Sequence, residues 1–238
     1  MTSTARRIHT VQYPETDHMG EDFLQRLLSE LLRPLIQRWL AARKVRAFTG
    51  ADQFLYWAEG DPTRRVAPDV YVLPGVDPAS VPSSWKLWEL GRPPSFALEI
   101  VSRDVAKDYE DAPAAYAELG AKELVIFDPG ATSRSRTRVR WQVYRRLARR
   151  GFVRVAQTMN DRVEVDSLGC WLRAIGEGRN VQLRLASGAG GDELFPTERE
   201  VLEAESARAA VESARADSAE AEVLRLQRLV AELQRPRG

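Results

Sequence analysis

The sequence predicts an α/β protein built on a mixed β-sheet core flanked by helices, with extra β-hairpins and a long C-terminal helix. Three observations carry that expectation. Apolar residues recur at helical spacing from Phe23 to Leu40, short apolar runs broken by turn signals fill 45–101, and a second helical stretch leads into the apolar run LVIF at 124–127. Helix, meander, helix and buried strand in that order describe a sheet with both parallel and antiparallel neighbours.

The first stripe comprises Phe23, Leu24, Leu27, Leu28, Leu31, Leu32, Leu35 and Ile36. Pro34 lies within it, lacks an N–H and is expected to kink or split the helix. Strand-like runs follow: VRAFT from Val45, QFLYWA from Gln53 and VYVL from Val70, punctuated at Thr49-Gly50 and at Glu59-Gly60-Asp61-Pro62. Beyond a loop holding Pro74, Gly75, Pro78 and Pro82, FALEIV from Phe96 reads as another strand. A helix from about Val105 to Leu119 meets Gly120 as its C-cap, and ELVIFDP from Glu123 is a buried strand stopped by Pro129.

The chain has 238 residues, 44% of them hydrophobic, enough for one well-buried domain and an appendage, expected at 1–192 and 193–238. A formal net charge of +1 announces no nucleic-acid or membrane partner through its overall field. No run approaches the roughly 20 apolar residues that span a bilayer, and no leader-like segment opens the chain, so a cytoplasmic protein without a membrane partner is expected. The one cysteine, Cys170, lies between Gly169 and Trp171 and suits a buried packing position.

Between Arg134 and Arg154 stand nine arginines and no acid, interleaved with Trp141, Val143, Tyr144, Leu147, Phe152 and Val153. Two readings are open. A basic hairpin could neutralise phosphates through Arg138, Arg140, Arg145 and Arg146, or its charge could guard a sheet edge against pairing with another chain. From about Thr197 the sequence becomes a charged helix with a heptad-like stripe: Leu202, Ala209, Ala216, Ala219, Val223, Leu226, Val230 and Leu233, interrupted by Glu205 and Glu212. Self-association as a homodimer coiled coil, packing back on the domain and a solvated single helix are all compatible with a stripe so rich in alanine.

Two carboxylates stand out. In FALEIV taken as a strand, Phe96, Leu98 and Ile100 face one side, and Ala97, Glu99 and Val101 the other. Glu99 then shares its face with small apolar groups, where an unpaired charge would cost several kcal/mol. Asp69 follows Pro68 and opens the preceding strand. Strands adjacent in sequence usually pair, so the two acids are expected to converge near one end of the sheet, an oxygen donor set suited to Mg²⁺ or Mn²⁺. The alternatives are a local turn role for Asp69 and a buried arginine partner for Glu99.

Other chemistries find no support. Two histidines, His9 and His18, with one cysteine cannot furnish an ordinary structural zinc site, and no H-E-x-x-H, G-x-x-x-x-G-K-[ST] or G-x-S-x-G occurs. The GAGG run at Gly188 reads as a linker.

Several segments together resemble the Uma-type restriction endonuclease family, a former domain of unknown function placed in the PD-(D/E)xK nuclease superfamily. They are YPETD from Tyr13, GDPTRRVAPDVYVLPGV from Gly60, KLWELGRPPSFALEIVS from Lys86, AYAELGAKELVIFDP from Ala115, DSLGCWL from Asp166, LRL from Leu183 and LFPTERE from Leu194. The resemblance implies a restriction-endonuclease-like fold and a Mg²⁺- or Mn²⁺-dependent endonuclease that hydrolyses DNA phosphodiester bonds. Asp69 matches the PD aspartate and Glu99 the second acid, with the Ile100 carbonyl as a further metal ligand. The superfamily's lysine, two residues after that acid, is replaced here by Val101, and the position of a lysine further along the next helix is Ala112.

Lys107 is the nearest substitute as a catalytic residue, with pairing to Asp108 or Asp111 as its alternative. Ser102 resembles the serine that follows the family's strand, suited to a phosphate, a metal water or a helix cap. Glu21 or Glu30 could add an acid from the first helix. The resemblance thus carries two readings, an active endonuclease and a catalytically silent nucleic-acid-binding or scaffold protein with the same fold; a third is a pure interaction protein working through its terminal helix.

Overall fold

The computed structural model describes residues 23–102 and 105–233. Tyr13, His9, His18 and Glu21 lie outside them.

Helix α1 (Phe23–Ala42) buries Leu28, Leu32, Leu35, Ile36, Trp39 and Leu40 along one stripe. It is neither split nor ended at Pro34. Pro34 sits on the exposed side, where water can satisfy the carbonyl it leaves without a donor, while the buried stripe runs on unbroken. Strands β1 (Ala47–Gly50), β2 (Phe54–Tyr56), β3 (Arg65–Val66), β4 (Val70–Pro74) and β5 (Ser84–Lys86) follow, then a single helical turn, α2 (Leu87–Leu90), and β6 (Phe96–Ile100). A π-helical turn over Lys107–Asp111 runs into α3 (Ala112–Leu119). Gly120, at φ 88°, supplies the left-handed residue that closes α3, its N–H donating to the carbonyls of Ala117 and Tyr116. Then come β7 (Glu123–Phe127), β8 (Trp141–Leu147), β9 (Gly151–Thr158), β10 (Arg162–Val165), β11 (Cys170–Ile175), β12 (Gln182–Ser187), β13 (Glu193–Leu194) and α4 (Glu198–Leu233).

The central sheet has six strands in the order β1-β4-β6-β7-β8-β9. Only β6 and β7 run parallel, joined by the α3 crossover, so the sheet is mixed as expected. Alternate residues divide its faces. Val70, Val72, Phe96, Leu98, Ile100, Val125 and Phe127 pack with α1 and the β10–β13 sheet; Tyr71, Leu73, Ala97, Val101, Leu124 and Ile126 pack with Tyr116 and Leu119 of α3. The expected alternation of FALEIV therefore holds.

A four-stranded antiparallel meander, β10-β11-β12-β13, and a small sheet, β3-β2-β5, complete the strands. The GAGG run is the turn between β12 and β13, with Gly188 and Gly191 at φ 85° and 67°. Cys170 is buried among apolar side chains, which pushes its thiol up to about 12.

Only part of the arginine-rich stretch forms the β8–β9 hairpin, with β9 on the sheet's edge; Arg134, Arg136, Arg138 and Arg140 lie in the loop that leads into β8. Because β13 pairs with β12, the first compact unit runs to Phe195, and the second, from Pro196, is α4 with the two residues that lead into it. A capping box opens α4: Thr197 N–H donates to Glu200 Oε2 at 2.7 Å, and Glu200 N–H to Thr197 Oγ1 at 3.3 Å. No described helix is long and apolar enough to cross a membrane.

Candidate active site

Strand β4 runs antiparallel to β6 with Val70 opposite Leu98, Tyr71 opposite Ala97 and Val72 opposite Phe96. Continuing that register by one residue sets Asp69 across from Glu99 at the end of the pair. Asp69 is 2% exposed and is held on both oxygens: Oδ2 accepts the Ile100 N–H at 2.5 Å, and Oδ1 accepts from Gln25 Nε2 of α1 at 2.7 Å. Glu99 is half-buried, and its Oε1 accepts from the hydroxyl of Tyr116, fully buried on α3, at 2.5 Å. The site is thus fixed by the sheet, α1 and α3.

Electrostatically the pair is strained. Burial drives the Asp69 carboxyl well above the usual range, the facing Glu99 adds to the shift, and the Ile100 N–H opposes it. Burial likewise pushes Glu99 up to about 8, the Tyr116 hydroxyl pulls it down, and the charges of Asp108 and Asp52 raise it while Lys107 lowers it. Burial and the charge of Glu99 push the Tyr116 hydroxyl up, so it stays a donor. Asp52 reaches this field from the β1–β2 turn, where it adopts φ 55° and its N–H donates to the Pro68 carbonyl at 2.9 Å.

A divalent cation fits this donor set. It would offset the like charge that adds to the burial of each acid, from Glu99 on Asp69 and from Asp108 and Asp52 on Glu99, and Mg²⁺ is commonly held by one or two carboxylates with several waters retained. Among the described residues no group of three or more His, Cys, Asp or Glu gathers as a ligand set. Ile100 belongs to the site through its N–H on Asp69.

The other expected residues fall as follows. Val101, where the resemblance leads one to expect a lysine, is 5% exposed, packs in the cluster that contains Ala97 and Tyr116, and donates its N–H to Phe127 O at 2.8 Å. Lys107 is exposed at the start of the π-turn, and its charge acts on Glu99. Ser102 gives its N–H to Asp108 Oδ2 at 2.9 Å and its hydroxyl to the same oxygen at 3.3 Å. Glu30 is exposed and pairs with Arg26 at 3.9 Å along α1, so the described part of that helix brings Gln25, not an acid, to Asp69.

Three of the four arginines expected to meet phosphates, Arg138 in the loop before β8 and Arg145 and Arg146 on β8, tie the protein to itself. Arg138 forks onto the fully buried Asp128 with Nε–Oδ2 2.7 Å and Nη2–Oδ1 2.5 Å, and the Tyr109 hydroxyl shares that carboxylate at 2.7 Å. Arg145 Nε meets the buried Glu123 at 2.6 Å. Arg146 donates to the carbonyls of Ala121 at 3.1 Å and Ala117 at 2.6 Å. Arg140 is half-buried, its backbone N–H on Met159 Sδ at 3.3 Å, and Arg149 and Arg150 stand exposed between the two strands of the hairpin.

Sequence reasoning gave no site role to Gln25, Tyr116 or Asp52. Gln25 had a signal, since it falls three and four residues before the buried Leu28 and Ser29 on the same stripe of α1. Tyr116 and Asp52 reach the site only through the tertiary fold.

No curated protein matches this sequence. A crystal structure described as that of a putative nuclease belonging to DUF820, from Anabaena variabilis, is similar at 13% identity, over 66% of this chain and 78% of that one, with a TM-score of 0.44. Residues 16–174, about two thirds of the chain, match the model of the Uma2 family, described as "Putative restriction endonuclease". By that match the chain belongs to the Uma2 family.

Proposed function

We propose that this chain is a cytoplasmic, Mg²⁺- or Mn²⁺-dependent endonuclease that hydrolyses phosphodiester bonds in DNA. The observation that carries the reading is the Asp69–Glu99 pair, held face to face by its own strands and driven toward protonation by burial and like charge. Asp69, Glu99 and the Ile100 carbonyl would hold the ion, which when bound supplies Lewis-acid polarisation of a phosphodiester and acidifies an attacking water.

The chain's own residues do the rest. The Ile100 N–H and Gln25 fix the Asp69 carboxylate, and Tyr116 fixes Glu99 through Oε1. Each carboxylate oxygen keeps a further lone pair for a ligand. Lys107, whose charge already reaches Glu99, stabilises negative charge developing on the phosphate in place of the lysine that Val101 replaces. Ser102, tied to Asp108, stands two residues beyond Ile100 and contacts the phosphate. Arg140, with the exposed Arg149 and Arg150, meets the DNA backbone, and α4 pairs two copies.

Val101 favours a second reading, a protein that binds nucleic acid without cutting it. Plasmid cleavage separates the two, with wild type, Asp69→Asn and Glu99→Gln assayed in Mg²⁺ and Mn²⁺ beside calorimetric metal titrations. Nicking by the wild type, lost in both variants together with metal binding, is the expected result. Metal binding and a DNA mobility shift without any cleavage would replace the endonuclease with the silent binder.

A further inference from the structure

Helix α4 spans 36 residues, about 54 Å at 1.5 Å per residue, and every described side chain from Leu202 onward is exposed, including Val223, Leu226 and Val230. Its stripe is graded. Leu202 aside, the stripe runs through Glu205, Ala209, Glu212, Ala216 and Ala219 before it reaches Val223, Leu226 and Val230.

We propose that α4 pairs with α4 of a second copy of this chain in antiparallel order, with Ala216 opposite Ala219. The inference rests on the pairing of two copies proposed above and is independent of catalysis. The alignment sets Ala209 against Leu226 of the second copy, Glu212 against Val223 and Glu205 against Val230, and two-fold symmetry makes each contact twice. Ala209 meets the large Leu226 twice, while Ala216 and Ala219 let the helices approach closely at the centre. Each glutamate lays its aliphatic stem beside a valine and keeps its carboxylate in water. Along one flank Arg215 meets Glu222 of the second copy, twice, an attractive pair on the seam.

A parallel pair has none of that relief. Glu205 would face Glu205 and Glu212 would face Glu212 in the seam, and Ala209 would face itself in place of Leu226 and leave that layer underfilled. The grading of the stripe is thus complementary to itself only when reversed. The N-termini of the paired helices then lie at opposite ends of the rod.

Full-length protein carrying Ala209→Cys and Leu226→Cys together, and each alone, tests this under mild oxidation, with mass measured by light scattering. Both positions are exposed, and Cys170 is buried, so the folded chain tolerates the changes and adds no background. The antiparallel pair predicts a dimer mass, near-complete interchain disulfide in the double variant and none in either single variant. Crosslinking by Leu226→Cys alone in a dimeric protein would establish parallel order and overturn this inference while leaving the pairing intact. A monomer mass for wild type at high micromolar concentration would overturn both.

Discussion

Arg145→Ala decides whether the hairpin's arginines are struts or phosphate contacts. Arg145 Nε lies 2.6 Å from Oε1 of Glu123, which is 2% exposed, and Nη2 donates to Glu164 O at 2.9 Å. Removing one partner of a buried ion pair costs about 3–5 kcal/mol, because the other charge is left without compensation. Glu123 would keep three donors, Ser167 Oγ at 2.5 Å, Ser167 N–H at 2.8 Å and Asp166 N–H at 3.2 Å, which places the loss near the lower end, about 3 kcal/mol. The second ion pair, to the 57% exposed Asp166, adds little. Urea denaturation at pH 7 measures the change, with Arg150→Ala as an exposed reference expected within about 0.5 kcal/mol of wild type. Adding Glu123→Gln to Arg145→Ala should recover part of the loss, since the uncompensated charge goes with it. A loss below about 0.5 kcal/mol for Arg145→Ala would refute the reasoning. So would a fall of about 1 in the salt-dependence slope of DNA binding, the mark of a lost phosphate contact.

Two further outcomes follow from the acids and the lysine. Glu99 sits up at about 8 in the folded chain, so between its unfolded value of 4.5 and 8 the native state keeps a proton that the unfolded chain releases. Without divalent ions, stability should therefore fall as pH rises through that window, by about 2 kcal/mol after allowing for partial exposure, and Glu99→Gln should flatten the profile in thermal or urea melts. Lys107→Ala should leave stability within about 0.5 kcal/mol, since the side chain is exposed, and lower the plasmid nicking rate by about 10²–10³-fold at saturating metal. Nicking at the wild-type rate would remove Lys107 from the proposed machinery.

The parts of the molecule legible in the sequence are those governed by local periodicity. Stripe and alternation located α1, β4, β6, α3 and β7, and alternation alone set Phe96, Leu98 and Ile100 against Ala97, Glu99 and Val101. What periodicity could not give was the partner of each polar group. Arg145 is read as a basic residue until β7 brings Glu123 beside it in register, and Asp128 at the end of ELVIFDP looks like a turn residue until Arg138 forks onto it. The meander β10–β13 needed pairings across turns, such as Leu172 with Leu185, that no short window records. At Pro34 the helix is not split, because six buried apolar residues outweigh one missing hydrogen bond on the exposed side.

The same distinction bears on Val101. A lysine two residues after the second acid shares that acid's face of the strand, so it can both balance the carboxylate and act on the phosphate. Here that face is closed by α3: Val101 packs in the cluster with Tyr116, whose hydroxyl occupies Glu99 Oε1. A hydroxyl can orient a carboxylate but carries no charge, and Glu99 accordingly remains up at about 8. The two tasks of one lysine are thus separable on this scaffold, orientation resting with Tyr116 and positive charge arriving from Lys107 on the π-turn, a wider coil that often marks functional positions in helices. If the division is right, Tyr116→Phe and Lys107→Ala should fail differently. The first should raise the pH needed for metal binding, because the acid loses the hydrogen bond that favours its charged form; the second should slow cleavage and move the metal-binding profile less, because the Lys107 charge lowers Glu99 less than that hydrogen bond does.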